Sequence, residues 1–143
     1  MFIDENLYNN IRKVIPTICV DLIVLNEENN FLLVRRKESP AKGDWWFPGG
    51  RIFKNETISN TVKRKGIEEI GLKLEIKKII SVEESIFNDE NQNIHTVNLV
   101  VSTKVLSKTE ITLDNSSSEY RWFPKIDNSL HKCIKGPLEK LGF

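Results

Sequence analysis

Cysteine is scarce in this chain of 143 residues: there are two, Cys19 and Cys133, far apart. Two cysteines so placed build no disulfide framework and show no metal-ligand spacing. Both lie in apolar stretches, which suits buried thiols better than a redox pair. A reducing cytoplasm agrees with that reading. An excess of one charge is also missing. Lysine and arginine number 21 against 20 aspartates and glutamates, a net charge of +1, so no general pull toward nucleic acid or a membrane surface is expected. No apolar run reaches the ~20 residues needed to span a bilayer. Met1 to Lys13 contains Asp4 and Glu5 and no apolar core, so it does not read as a signal peptide. Internal repeats, low-complexity segments and domain boundaries are absent too.

What is present reads as one α/β domain over residues 1–143. Hydrophobic residues make up 39% and charged residues 29%, a globular balance with enough length for a core. Residues 4–13 read as a short helix, with Asp4 as cap and Leu7, Tyr8 and Ile11 at helical spacing. Phe2 and Tyr8 flank it, and as bare aromatics they would pack on the domain. Ile15–Leu25 and Phe31–Lys37 read as the two strands of a hairpin about the turn Asn26–Asn30. Asp21 interrupts the first strand, which suits either a solvated face or a place beside a ligand. Alternation puts Arg35 and Arg36 on opposite faces of the second, so at most one enters a given cleft. Further strands are expected over Leu74–Ser85, Ile94–Leu106 and Tyr120–Phe123, with polar connections at Asn88–Asn93 and Ser107–Glu119. His95 begins one of these strands, where a lone histidine more often packs or faces water than catalyses. Asp127 or Ser129 is expected to cap a last helix bearing Leu130, Cys133, Ile134, Leu138 and Leu141. Gly136-Pro137 is expected to break or kink it.

The rest is organised around Gly49–Leu72. Gly49-Gly50 lets backbone approach a ligand closely. Asn55 is the expected cap of a helix over roughly 56–70, whose buried stripe is Ile58, Val62, Gly66 and Ile70. Gly66 either weakens this helix or lets a neighbour pack close. Glu68 and Glu69 end it beside Gly71, a C′ glycine. Adjacent carboxylates near a glycine turn suit a hard cation, because Mg²⁺ takes oxygen ligands and often shares them with substrate phosphates.

Gly50, Glu56, Arg64 and Glu68-Glu69-Ile70-Gly71-Leu72 stand at the spacing of the Nudix box, G-x5-E-x7-R-E-U-x-E-E-x-G-U with U apolar. The chain therefore resembles the Nudix hydrolases, which implies an α/β/α sandwich with a central mixed β-sheet. It also implies a divalent ion, Mg²⁺ or alternatively Mn²⁺, held against a nucleoside diphosphate derivative. Two box positions depart from the pattern: Lys65 replaces a glutamate and Gly66 an apolar residue.

The segment Ser39–Arg51 is similar to the one that precedes the box in GDP-mannose mannosyl hydrolases, a branch that also lacks the glutamate after the arginine. In that branch water attacks the sugar's anomeric carbon, and one Mg²⁺ stabilises the departing diphosphate. Residue by residue, the resemblance implies the Gly49 carbonyl and Glu69 as metal ligands, with Glu68 adding a ligand or a water-mediated contact. It implies Arg36 and Arg51 on the diphosphate, a task suited to the bidentate guanidinium. Asp21 would lie near sugar hydroxyls. Phe2 and Tyr8 would sandwich the base, including across the interface of a homodimer. One further departure stands out. The branch carries a metal-binding glutamine and a general-base histidine before its Tyr-Arg-Trp strand, and Ser116 and Ser117 occupy those places here. Asp114, Glu119 and His95 are the candidate replacements.

Three functions compete. The first is Mg²⁺-dependent hydrolysis of a nucleotide sugar resembling GDP-mannose, giving free sugar and nucleoside diphosphate. The second is an ordinary Nudix pyrophosphohydrolase attacking phosphorus, favoured by Glu56, Glu68 and Glu69. The third is a binding module with weakened catalysis, suggested by Lys65 and the Ser116–Ser118 loop.

Overall fold

The computed structural model describes residues 2–89, 92–107 and 110–143. Helix α1 spans Glu5–Arg12 and begins as its sequence predicts, the Asp4 carboxylate accepting from the N–H groups of Asn6 and Leu7. The strands are β1 (Thr17–Ile23), β2 (Phe31–Arg36), β3 (Trp45–Trp46), β4 (Gly49–Arg51), β5 (Leu74–Asp89), β6 (Gln92–Val105) and β7 (Ser117–Phe123). Helix α2 spans Ile58–Lys65 and runs into one π turn, Gly66–Ile70, while α3 spans Lys132–Leu141.

The strands form two sheets. β1 lies in a mixed sheet of order β4-β1-β6-β5, parallel to β6 and antiparallel to β4. β2 is central in an antiparallel sheet of order β3-β2-β7. The expected β1–β2 hairpin is therefore wrong. The two strands meet through a bridge between Leu25 and Phe31 and a hydrogen bond from Leu32 N–H to the Val24 carbonyl, then part. Both are apolar on both faces, so each satisfies its edges with other partners and is covered on two sides.

That two-sided coverage is visible in the alternation. Val20, Leu22, Val24, Leu32 and Val34 pack toward Val62 and Ile70 of the α2 side. Ile23, Phe31, Leu33 and Val100 pack toward Cys133, Ile134 and Leu138 of α3. The result is the α/β/α layering with a mixed central sheet. Buried side chains of this size contribute roughly 1.5–3 kcal/mol each, which makes these two clusters the main stabilising contacts.

Local details depart from expectation for identifiable reasons. Asn55 adopts a left-handed backbone (φ 66°), and the cap of α2 is Thr57, whose hydroxyl accepts from Asn60 N–H at 3.1 Å. Gly66 sits in the π turn under Leu72 and Leu74, so it permits close packing. Gly71 closes the turn with φ 70°, as a C′ glycine should. The α3 cap is His131, whose Nδ1 accepts from Cys133 N–H at 3.1 Å, whereas Asp127 ties off a preceding turn through Ser129. Pro137 lies inside α3 without ending it and is buried there with Ile134 and Leu138.

Candidate active site

The box is held together by Arg64. Its guanidinium donates to both oxygens of Glu56 at 2.8 and 2.9 Å, to the Arg51 carbonyl at 2.8 Å and to Glu68 at 3.1 Å. It also stacks on Phe53, with 3.7 Å from its carbon to the ring centroid. One side chain thus ties the glycine loop to the helix. Arginine suits the place because its planar fork reaches a carboxylate bidentately with donors to spare. Glu56 is pulled down to about 2, chiefly by its hydrogen bond from Arg64, so it is a structural anion.

The wider π turn then separates the two neighbouring carboxylates. Glu69 turns inward, and its Oε2 accepts from Gly49 N–H at 3.0 Å. Glu68 stays half-exposed beside Arg64. Burial raises the proton affinity of Glu69, against the opposing effects of Lys65 and the Gly49 N–H. Such π turns recur at functional sites.

A cleft of about 350 Å³ opens where the two sheets diverge beyond the Leu25–Phe31 junction. Tyr8 and Arg12 of α1 border it, and Arg36, Gly49, Gly50, Arg51 and Glu69 line one side. Arg36 is steadied by donating to the Pro40 carbonyl at 2.7 Å, which the 38–44 loop presents. Arg51 lies over the rings of Tyr8 and Phe53 at 5.1 and 4.7 Å. Asp21 is buried and accepts from Asn98 Nδ2 at 2.9 Å. Burial pushes its carboxyl up to about 7, although Asn98 and Trp46 donate to it. Asn98 Oδ1 is buried without a hydrogen-bond partner among the described residues. Cys19 also lines the cleft, and burial with Asp21 nearby pushes its thiol up to about 12.

The oxygen donors here fit a hard cation. Gly49 N–H and C=O share one side of β4, as in any extended residue, so the carbonyl faces the edge where Glu69 lies. With Glu68 adjacent, that gives two carboxylates and a carbonyl. No group of three or more His, Cys, Asp or Glu side chains able to hold an ion occurs among the described residues. Such a donor set suits an ion that completes its coordination with water and substrate phosphate.

Most of the residues singled out from the sequence converge on this cleft: Tyr8, Asp21, Arg36, Gly49, Arg51 and Glu69. Ser116 and Ser117 line it as well, at the place where a glutamine and histidine were expected. Phe2 does not join them; it is 92% exposed on its own chain. Of the proposed substitute bases, His95 and Glu119 lie elsewhere, whereas Asp114 stays beside the site, its N–H donating to the Glu69 carbonyl at 3.3 Å. His95 pairs with Glu84 at 3.1 Å, Glu119 lies 3.6 Å from Arg35, and Asp114 binds the Ser116 N–H and hydroxyl. Sequence reasoning missed Asn98, although a polar residue inside the apolar run Val97–Val101 was a usable signal. It also missed Cys19, whose half-buried place in the cleft has no signature in an apolar strand.

Comparison with known proteins agrees with this geometry. The NUDIX domain family model matches residues 16–139. The low-salt glycan biosynthesis protein Agl8 of Haloferax volcanii is 27% identical over 130 residues, 89% of this chain and 83% of its own length. An ADP-ribose pyrophosphatase of Methanocaldococcus jannaschii is 30% identical over 125 residues, covering 84% of this chain and 72% of its own. The crystal structure of a MutT protein from Methanosarcina mazei superposes with a TM-score of 0.74 at 22% identity, covering 87% of this chain and 92% of that one. A box at the family's spacing, folded into the family's sandwich and matched by the family's model, places this chain in the Nudix family of hydrolases.

Proposed function

We propose that the protein hydrolyses a nucleotide sugar resembling GDP-mannose, with water attacking the anomeric carbon and the nucleoside diphosphate leaving. The observation that carries this reading is one cleft in which a diphosphate-binding group and a buried polar pair lie side by side, Asp21 standing opposite Gly49 across β1 and β4. Arg36, Arg51 and Glu69 form the first and Asp21 with Asn98 the second. Arg36 and Arg51 bind the diphosphate oxygens. Asp21 and Asn98 take sugar hydroxyls, the first through its carboxyl group and the second through its unpartnered Oδ1. Tyr8 offers a face to the base, and Phe2 would reach a base only from a second copy of the chain in a homodimer. Mg²⁺ or Mn²⁺, held by Glu69, Glu68 and the Gly49 carbonyl, would offset charge on the departing diphosphate. A relative named for glycan biosynthesis supports a sugar-linked substrate, since glycans are assembled from activated sugars.

Attack on phosphorus is the second reading. The pyrophosphatase relative at 30% identity favours it. Glu56, which counted toward it in the sequence, does not, because Arg64 occupies both of its oxygens. Incubation of the protein with a panel of nucleotide sugars and Mg²⁺, followed by chromatographic separation of products, distinguishes the two. Free sugar with nucleoside diphosphate is expected; sugar phosphate with nucleoside monophosphate would overturn the carbon-attack reading.

A further inference from the structure

The lysine at the altered box position is built into the site. Lys65 Nζ lies 2.9 Å from Glu69 Oε1 and 3.4 Å from Glu68 Oε2, so its ammonium sits between the two carboxylates. Its side chain is 14% exposed, close to the 13% of Glu69. Glu69 is thereby held from two sides, by Lys65 on Oε1 and by Gly49 N–H on Oε2. Gly50 makes room for this arrangement: a Cβ there would lie 2.5 Å from Lys65 Cε and 3.0 Å from Nζ.

An ordinary surface ion pair on a helix is the bland alternative. Three observations count against it. The Lys65–Glu69 pair is withdrawn from solvent, the ammonium is shared with a second carboxylate, and the lysine stem packs closely against Gly50 on another element. Its order is also the weaker one for helix support, which prefers the glutamate N-terminal to the lysine. The ammonium instead has the charge, the donor partners and the location of a cation bound to Glu68 and Glu69.

We propose that Lys65 is a tethered cation that competes with a divalent ion for Glu68 and Glu69, so that metal entry requires displacement of its ammonium. This rests on the reading of Glu68, Glu69 and the Gly49 carbonyl as the metal site. In the metal-free protein the ammonium neutralises a carboxylate pair that would otherwise repel. In the loaded protein its ammonium leaves Glu69. The substitution of lysine for an acid thus does more than remove a ligand: it lowers affinity by occupying what remains.

The test uses the full chain without substrate, titrated with Mn²⁺ and followed by electron paramagnetic resonance. Lys65→Met, which keeps the length of the stem and removes the charge, is expected to bind Mn²⁺ at least tenfold more tightly than wild type. Lys65→Arg should stay near wild type. Affinity in Lys65→Met within twofold of wild type would overturn the proposal while leaving the metal site standing. Absence of Mn²⁺ binding in wild type and Lys65→Met alike would overturn the metal reading itself. A second measurement needs no variant. The ¹⁵N resonance of the Lys65 ammonium should move toward that of a solvated lysine as Mg²⁺ is added, and an unmoved resonance at saturating metal contradicts displacement.

Discussion

Arg64 and Asp21 show opposite ways in which one residue sets this site. Arg64 anchors by abundance of contacts: Glu56, Glu68, the Arg51 carbonyl and the face of Phe53. Replacing its main partner, Glu56→Gln, should destabilise the protein by about 1–2 kcal/mol at pH 7, given partial screening by water. The carboxyl titrates at about 2 in the folded chain against an ordinary 4.5, so its contribution is full above 4.5 and is lost as pH falls toward 2. Urea melts of wild type and Glu56→Gln should therefore differ at pH 7 and converge at low pH. Asp21 behaves in reverse. Its folded carboxyl titrates at about 7 against an ordinary 3.8, so the native state holds the proton more tightly and stability declines as pH rises from 4 to 7. Asp21→Asn should raise stability by a few kcal/mol at pH 8 and by much less at pH 5, while weakening turnover. Thermal melts at the two pH values check the first part; an unchanged difference between them would contradict the burial account.

The box element is a helix that ends in a π turn, and the turn does the sorting. It sends Glu69 to Gly49 and leaves Glu68 beside Arg64. Gly66 is required for it: a Cβ would lie 2.8 Å from the Leu72 carbonyl and 2.9 Å from two carbons of Leu74. Gly66→Ala, a gain in ordinary helix propensity, should instead cost about 1–3 kcal/mol, because the clash involves backbone and a buried core leucine. A denaturation midpoint equal to or above wild type would show that the π turn tolerates a side chain. The stripe Ile58, Val62, Gly66 and Ile70 was legible from spacing, since each falls on the packed side. The cap was not, because Asn55 and Thr57 are both competent N-cap residues and only the left-handed backbone at Asn55 decides between them. The parting of β1 from β2 was hidden as well. A five-residue turn between apolar strands looks like a hairpin, and the competing partners, β6 and β7, lie far along the chain. Register between distant strands leaves little local trace, whereas the box, the glycine loop and the arginine at its helix are local and could be read directly.

At the scale of the whole molecule, two sheets joined at Leu25–Phe31 splay apart and leave a cleft with cationic and carboxylate groups on one side and a buried acid–amide pair at its floor. Sequence reasoning supplied most of the residues of that cleft, while the pairing of Asp21 with Asn98, 77 positions apart, needed the fold. The arrangement sets Arg36, Arg51 and Glu69 beside Asp21 and Asn98, as a sugar-linked diphosphate would require under the proposed attack at carbon. Hydrolysis in ¹⁸O-enriched water, with GDP-mannose first among the nucleotide sugars and Mg²⁺ present, tests it most directly. Mass spectrometry should find the label in the released sugar and none in the nucleoside diphosphate; label in a phosphate product would contradict the account.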